Sequence, residues 1–213
     1  MIAMLRFALL SLFFALEPQL KILPVDEAVR DPALVATRTK LLAALQKHDA
    51  SAVLALSESD VKLGAAWKEF NGTFQDLLNE PKAGFDVWAE LRQSLSLGGK
   101  FRSADTFESN YVALLFEGQP GSGVGSWVYE VVTGDNVAVY ARPSSKQKAI
   151  WQLSYDVVLV GLVEPNGWAS VEYRKGHIGY VKADQLAHPG GIVVTLQRGT
   201  QGWKIKALEA DAE

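Results

Sequence analysis

The chain contains no cysteine. This excludes a disulfide framework, a thiolate metal site and a cysteine nucleophile. Histidine is scarce, with only His48, His177 and His188. None stands at metal spacing with a Glu or another His, as in H-E-x-x-H, so no metal and no cofactor is implied. Positive charge is not in excess either. The net charge is −3; residues 128–190 carry six acidic and six basic side chains, and residues 23–127 carry fourteen and ten. Without a basic stripe, nucleic acid is not an expected partner. No apolar run reaches the roughly 20 residues that span a bilayer. Residues 7–16 come closest, an apolar stretch of ten behind Arg6. That stretch reads as the core of a secretory signal peptide, so residues 1–19 are expected to be removed on export. No clean small-x-small site precedes Glu17, and a buried apolar helix is the plainer alternative. No Cys follows the stretch, so a lipoprotein anchor is not expected.

What is present suits a folded protein: 48% of residues are hydrophobic and 21% charged. The first half reads as helix-rich. Asp31-Pro32 opens a helix, with Asp as cap and Pro at the first position. Leu34, Val35, Leu41, Leu42 and Leu45 then recur at helical spacing. A short helix is expected over 50–56, a brief strand over 61–63, and a helix capped by Asn71 running to Leu78. Phe85, Trp88, Leu91 and Leu95 share one face of a further helix closed by Gly98-Gly99. Residues 110–116 (NYVALLF) read as a strand, and 117–126 as a linker by composition.

From 132 to 186 the pattern changes. Five short apolar runs alternate with turn signals every eight to twelve residues, the clearest being Pro165-Asn166-Gly167. The segments Val137-Ala138-Val139-Tyr140-Ala141-Arg142-Pro143-Ser144, Asn166-Gly167-Trp168 and Gly176-His177-Ile178-Gly179-Tyr180-Val181, with Leu186 closing, resemble the bacterial SH3-like domain. The resemblance covers the whole module in order. It implies a small five-stranded β-barrel over 127–190, of the kind found in cell-envelope and secreted bacterial proteins. Ala138, Tyr140 and Arg142 depart from the family's usual first strand, near its usual ligand groove.

The tail forms a hairpin, 192–196 and 203–208 about Gly199 to Gly202, with Trp203, Ile205 and Ala207 on one face. An isolated hairpin is marginal in water, so it should pack back on the first half, with NYVALLF as its natural partner. The expected fold is therefore α+β: residues 23–126 a helix-rich α+β domain, 127–190 the SH3-like barrel, and 191–213 the returning hairpin. The flanking segments show a weaker resemblance to the α+β cone fold of the nuclear-transport-factor type.

No catalytic set is legible. Gly121-Ser122-Gly123 lacks the strand–turn–helix frame of a nucleophile elbow, and Gly123-Val124-Gly125 lacks phosphate-loop spacing. Asp76/Glu80 and Asp86/Glu90 are helix-face pairs that read as solvated surface. The aromatics of 132–186 are more informative, because a small barrel cannot bury six large rings. Tyr140, Trp151 and Tyr155, with Arg142 and the half-buried Trp168, are the ligand-binding candidates; burial against Trp88 or Phe107 would make them an interface instead. The expectation is an exported, non-catalytic envelope protein, periplasmic or secreted, with no membrane span once the signal is cleaved. By resemblance, the barrel would bind a cell-wall peptide, peptidoglycan or a protein partner. A structural accessory role and a small-molecule pocket in the first half are the alternatives.

Overall fold

The computed structural model describes residues 20–67, 70, 72–79, 86–117 and 128–210. The expected signal segment, residues 118–126 of the linker, Asn71 and Phe85 lie outside these. The fold is α+β, with short helices and three sheets.

The first half opens with α1 (Pro32–Gln46). The Asp31 carboxylate accepts the Ala33 and Leu34 amides at 2.9 and 3.1 Å, satisfying donors that the first turn leaves free. Asp49 caps α2 (Ala50–Ala55) in the same way, and β1 (Ser57–Leu63) follows as a full seven-residue strand. Over α3 (Phe74–Asn79), Thr73 and Asp76 exchange bonds: the Thr73 amide donates to the Asp76 carboxylate at 2.7 Å. Asp86 caps α4 (Val87–Ser96), which buries Val87, Trp88, Leu91 and Leu95. Two strands come next, β2 (Gly99–Ser103) and β3 (Thr106–Ser109).

Residues 111–116 are not the expected strand. They form α5 (Tyr111–Phe116). A short unbroken apolar run fits a buried helix as well as a strand, and Asn110 decides it. Its side-chain oxygen accepts the Ala113 amide, and its amide group donates to the Ile192 carbonyl at 3.0 Å. Its backbone sits at φ 69°, a left-handed conformation that Asn tolerates better than most residues.

The second half contains β4 (Tyr129–Val132), β5 (Val137–Val139), β6 (Trp151–Leu153), β7 (Val157–Glu164), β8 (Trp168–Arg174), β9 (His177–Lys182) and β10 (Leu186–Ala187). They make an antiparallel sheet in the order β10-β4-β7-β8-β9 and a separate β5-β6 pair. The short β4 and β10 were not legible in the sequence. The Tyr140 and Tyr180 backbones join the pair to β9 with reciprocal bonds of 2.9 and 2.8 Å. Gly179 permits the approach, since a Cβ there would lie 2.4 Å from Val139. Gly167 and Gly176 turn the two hairpins at φ 78° and 74°.

The terminal strands β11 (Val193–Gly199) and β12 (Gly202–Glu209) return to the first half. They lie inside its sheet, ordered β1-β12-β11-β3-β2, with β1 parallel to β12. The partners are thus β3 and β1, not residues 110–116. A register shift between Thr195 and Leu196 breaks the alternation in β12, so Leu208, not Ala207, joins Trp203 and Ile205 in the core.

Helices and first sheet share one apolar core, and the second half has its own. A third cluster joins them: Ile22, Tyr111, Val112, Phe116, Val131, Val157 and Ala187. Lys21 reinforces this junction by pairing with the buried Asp156 at 2.8 Å, and Gln93 donates across it to the Leu186 carbonyl at 2.9 Å. No helix among the described residues is long and apolar enough to cross a membrane.

Candidate functional site

The five candidate residues divide into two groups. Four lie along β9. Tyr140, at the end of β5, meets Trp168 edge-on with centroids 5.5 Å apart. Trp168 begins β8 and is only 4% exposed, and the Lys182 ammonium sits 4.3 Å over its ring. Arg142 is exposed in the β5–β6 connection. Trp151 keeps 39% of its surface exposed. Its ring lies 5.9 Å from Tyr173, and the Arg174 guanidinium is 5.1 Å from its centroid. His177 meets Tyr173 edge-on at 6.0 Å.

Tyr155 is the exception. It occupies a left-handed turn at φ 60°, and its carbonyl accepts the Ile22 amide. It therefore belongs to the junction and makes no ring contact with the other four. Trp88 instead stacks on His48, and Phe107 meets Phe101, so neither covers Trp151 or Tyr140.

Strand pairing explains the grouping. Along β9, His177 faces Arg174, Tyr180 faces Ser170 and bridges to Tyr140, and Lys182 faces Trp168. Val139 pairs with Trp151 on the neighbouring hairpin. One edge thus carries an aromatic–cation pair at each end. Sequence reasoning missed Tyr173, Arg174, His177 and Lys182 as members. Their spacing in β8 and β9 was visible, but which face they share depends on the β5-β6 pair crossing Gly179. Beside Lys182 opens a groove of about 450 Å³, lined by Gly167, Ala183, Asp184 and Gln185.

A second feature lies between the halves. A cleft of about 170 Å³ is lined by Glu90 and Gln93 of α4, Glu130 of β4, Val160 and Val163 of β7, and His188. Burial, and then the Glu90 charge, push the Glu130 carboxyl up to about 7. Burial, and then Asp86, also raise Glu90. Neither carboxylate has a cation partner among the described residues. The sequence shows Glu90 only as a partner of Asp86 on a helix face. Its approach to Glu130, forty positions away, is tertiary.

The histidines lie apart. The Gly190 amide donates to His188, and His177 bonds the Lys175 carbonyl. Among the described residues, no group of three or more His, Asp or Glu is placed to hold a metal ion. No protein-family model matches the chain, and no curated protein or solved structure is significantly similar to it.

Proposed function

We propose that the second half is a bacterial SH3-like barrel that serves as a non-catalytic binding module in an exported envelope protein. Its ligand would be a cell-wall peptide, peptidoglycan or a protein partner. The strand order, the Tyr140–Tyr180 bridge and the close approach at Gly179 support the barrel reading. The apolar stretch at 7–16 supports export.

One observation carries the binding role. Trp151 is a large ring left 39% exposed, yet it is held between Tyr173 and Arg174. An exposed ring costs solvation free energy unless something covers it, and one already oriented loses little entropy on binding. The alternative, in which these aromatics are consumed in the packing of the two halves, is not favoured, since Trp151, Tyr173 and Lys182 lie outside the joining cluster.

The test is co-sedimentation of the mature protein with purified peptidoglycan, wild type against Trp151→Ala. Retention by the wild type and loss in the variant is expected. Equal retention refutes the role given to Trp151, and none in either removes the cell-wall ligand. Export is checked separately by the amino terminus of the periplasmic or secreted form.

A further inference from the structure

We infer that the surface along β9, over the crossing of the β5-β6 pair, binds an extended acidic peptide segment, its carboxylates held by cations at both ends of the strand. The inference rests on the binding role proposed above and adds the chemical class of the ligand.

Residues 128–190 are neutral in sum, but their charges are segregated. The six Lys and Arg fall in three places: Arg142, Lys146 and Lys148 between β5 and β6, Arg174 and Lys175 at the β8–β9 turn, and Lys182 at the end of β9, so that strand pairing sets the last two groups at opposite ends of β9. None is in an ion pair with a described residue. Most carboxylates of the segment are committed elsewhere. Asp156 holds Lys21, Asp135 accepts the Ser154 hydroxyl at 2.6 Å, Glu164 accepts from Asn166, and Glu172 accepts the Gly176 amide. Asp184 stands at the groove beside Lys182. This surface therefore presents cations with no internal partner, and a mobile anion lowers their mutual repulsion.

Two of the cations are pre-oriented. Arg174 lies over Trp151 and Lys182 over Trp168, which restricts each head group. A guanidinium so held offers two parallel donors to a carboxylate. The ends of β9, His177 and Lys182, are separated by about 17 Å at roughly 3.3 Å per residue. An extended peptide has the same rise, so acidic side chains four or six residues apart, which share a face, can reach both ends together.

The same geometry disfavours other polymers. Nucleic-acid bases stack on open ring faces. Here a cation covers one face of each Trp, Tyr173 leans on Trp151, and Trp168 is 4% exposed. A neutral glycan would also need open faces and would leave the cations unanswered.

The test titrates the mature full-length protein with hexaglutamate, hexalysine, chitohexaose and single-stranded DNA, at low and high NaCl. Hexaglutamate is expected to bind, hexalysine not. Affinity should fall at least tenfold at high salt, and again in an Arg174→Gln, Lys182→Gln variant with an unchanged melting temperature. Tighter binding of chitohexaose or DNA, or unchanged hexaglutamate binding by the variant, overturns the inference. Peptidoglycan retention by that variant at high salt also overturns it, while leaving the binding role standing. Hexaglutamate binding without peptidoglycan retention removes the cell-wall ligand alone.

Discussion

Replacing Glu130 with Gln should stabilise the protein at pH 8 and have little effect at pH 4.5. In the folded chain this carboxyl titrates at about 7 instead of its ordinary 4.5, because it is buried and faces Glu90. The folded state therefore binds a proton more tightly than the unfolded state. The associated stability is complete below about 4.5 and is lost as pH rises through about 7. At roughly 1.4 kcal/mol for each tenfold change, the full difference would be about 3 kcal/mol. The cleft is open to water and the group only half-buried, so screening reduces this to about 1–2 kcal/mol. Gln mimics the protonated acid in shape and charge and so lacks that loss. The assay is urea unfolding followed by tryptophan fluorescence from pH 4.5 to 8.5. Wild type should weaken across the upper half of this range, while Glu130→Gln stays flatter. Glu90→Gln should move the wild-type transition to lower pH, since one of the two causes is gone. Parallel curves for wild type and Glu130→Gln, or a variant weaker at pH 8, would refute the reasoning.

Two other substitutions probe the frame. Gly179→Ala should cost about 1–3 kcal/mol in thermal or urea unfolding, because its methyl would stand 2.4 Å from Val139 where the β5-β6 pair crosses β9. A neutral result there would mean that the crossing is looser than described. Asp31→Ala should cost about 2–4 kcal/mol by the same measure, since Asp31 caps α1 and also accepts the Trp203 indole N–H at 3.2 Å beside Arg198. Asp31→Asn keeps part of the cap and should cost less; equal losses in the two variants would contradict the capping account.

Local signals were legible where local chemistry suffices. Asp31-Pro32 marked α1, and the spacing of Trp88, Leu91 and Leu95 marked α4. Asn166-Gly167 marked a hairpin because Gly accepts positive φ. The reading failed at residues 111–116, where a six-residue apolar run carries no period that separates helix from strand. It also failed at β4 and β10, which are too short to show alternation and exist through pairing with residues far along the chain. For the candidate face, Tyr140, Trp151 and Trp168 were visible as surplus aromatics, whereas Tyr155 was assigned there and belongs to the junction.

Sequence alone determined the composition of this protein's second half: seven large rings over residues 128–190, equal charge of both signs, and turn residues that fold the chain back every few positions. Only the tertiary structure decided how those residues are distributed. A net charge of zero has no direction. Strand pairing along β9 sets Arg174 and Lys182 beside Trp rings at its two ends, while Lys21, from the other half, holds Asp156. Likewise, Glu90 and Glu130 become a coupled pair only because α4 and β4 meet across the joining cleft. Periodicity follows from bonds between near neighbours, so it is written in the sequence. Electrostatic coupling depends on distance through space, and folding alone sets that distance.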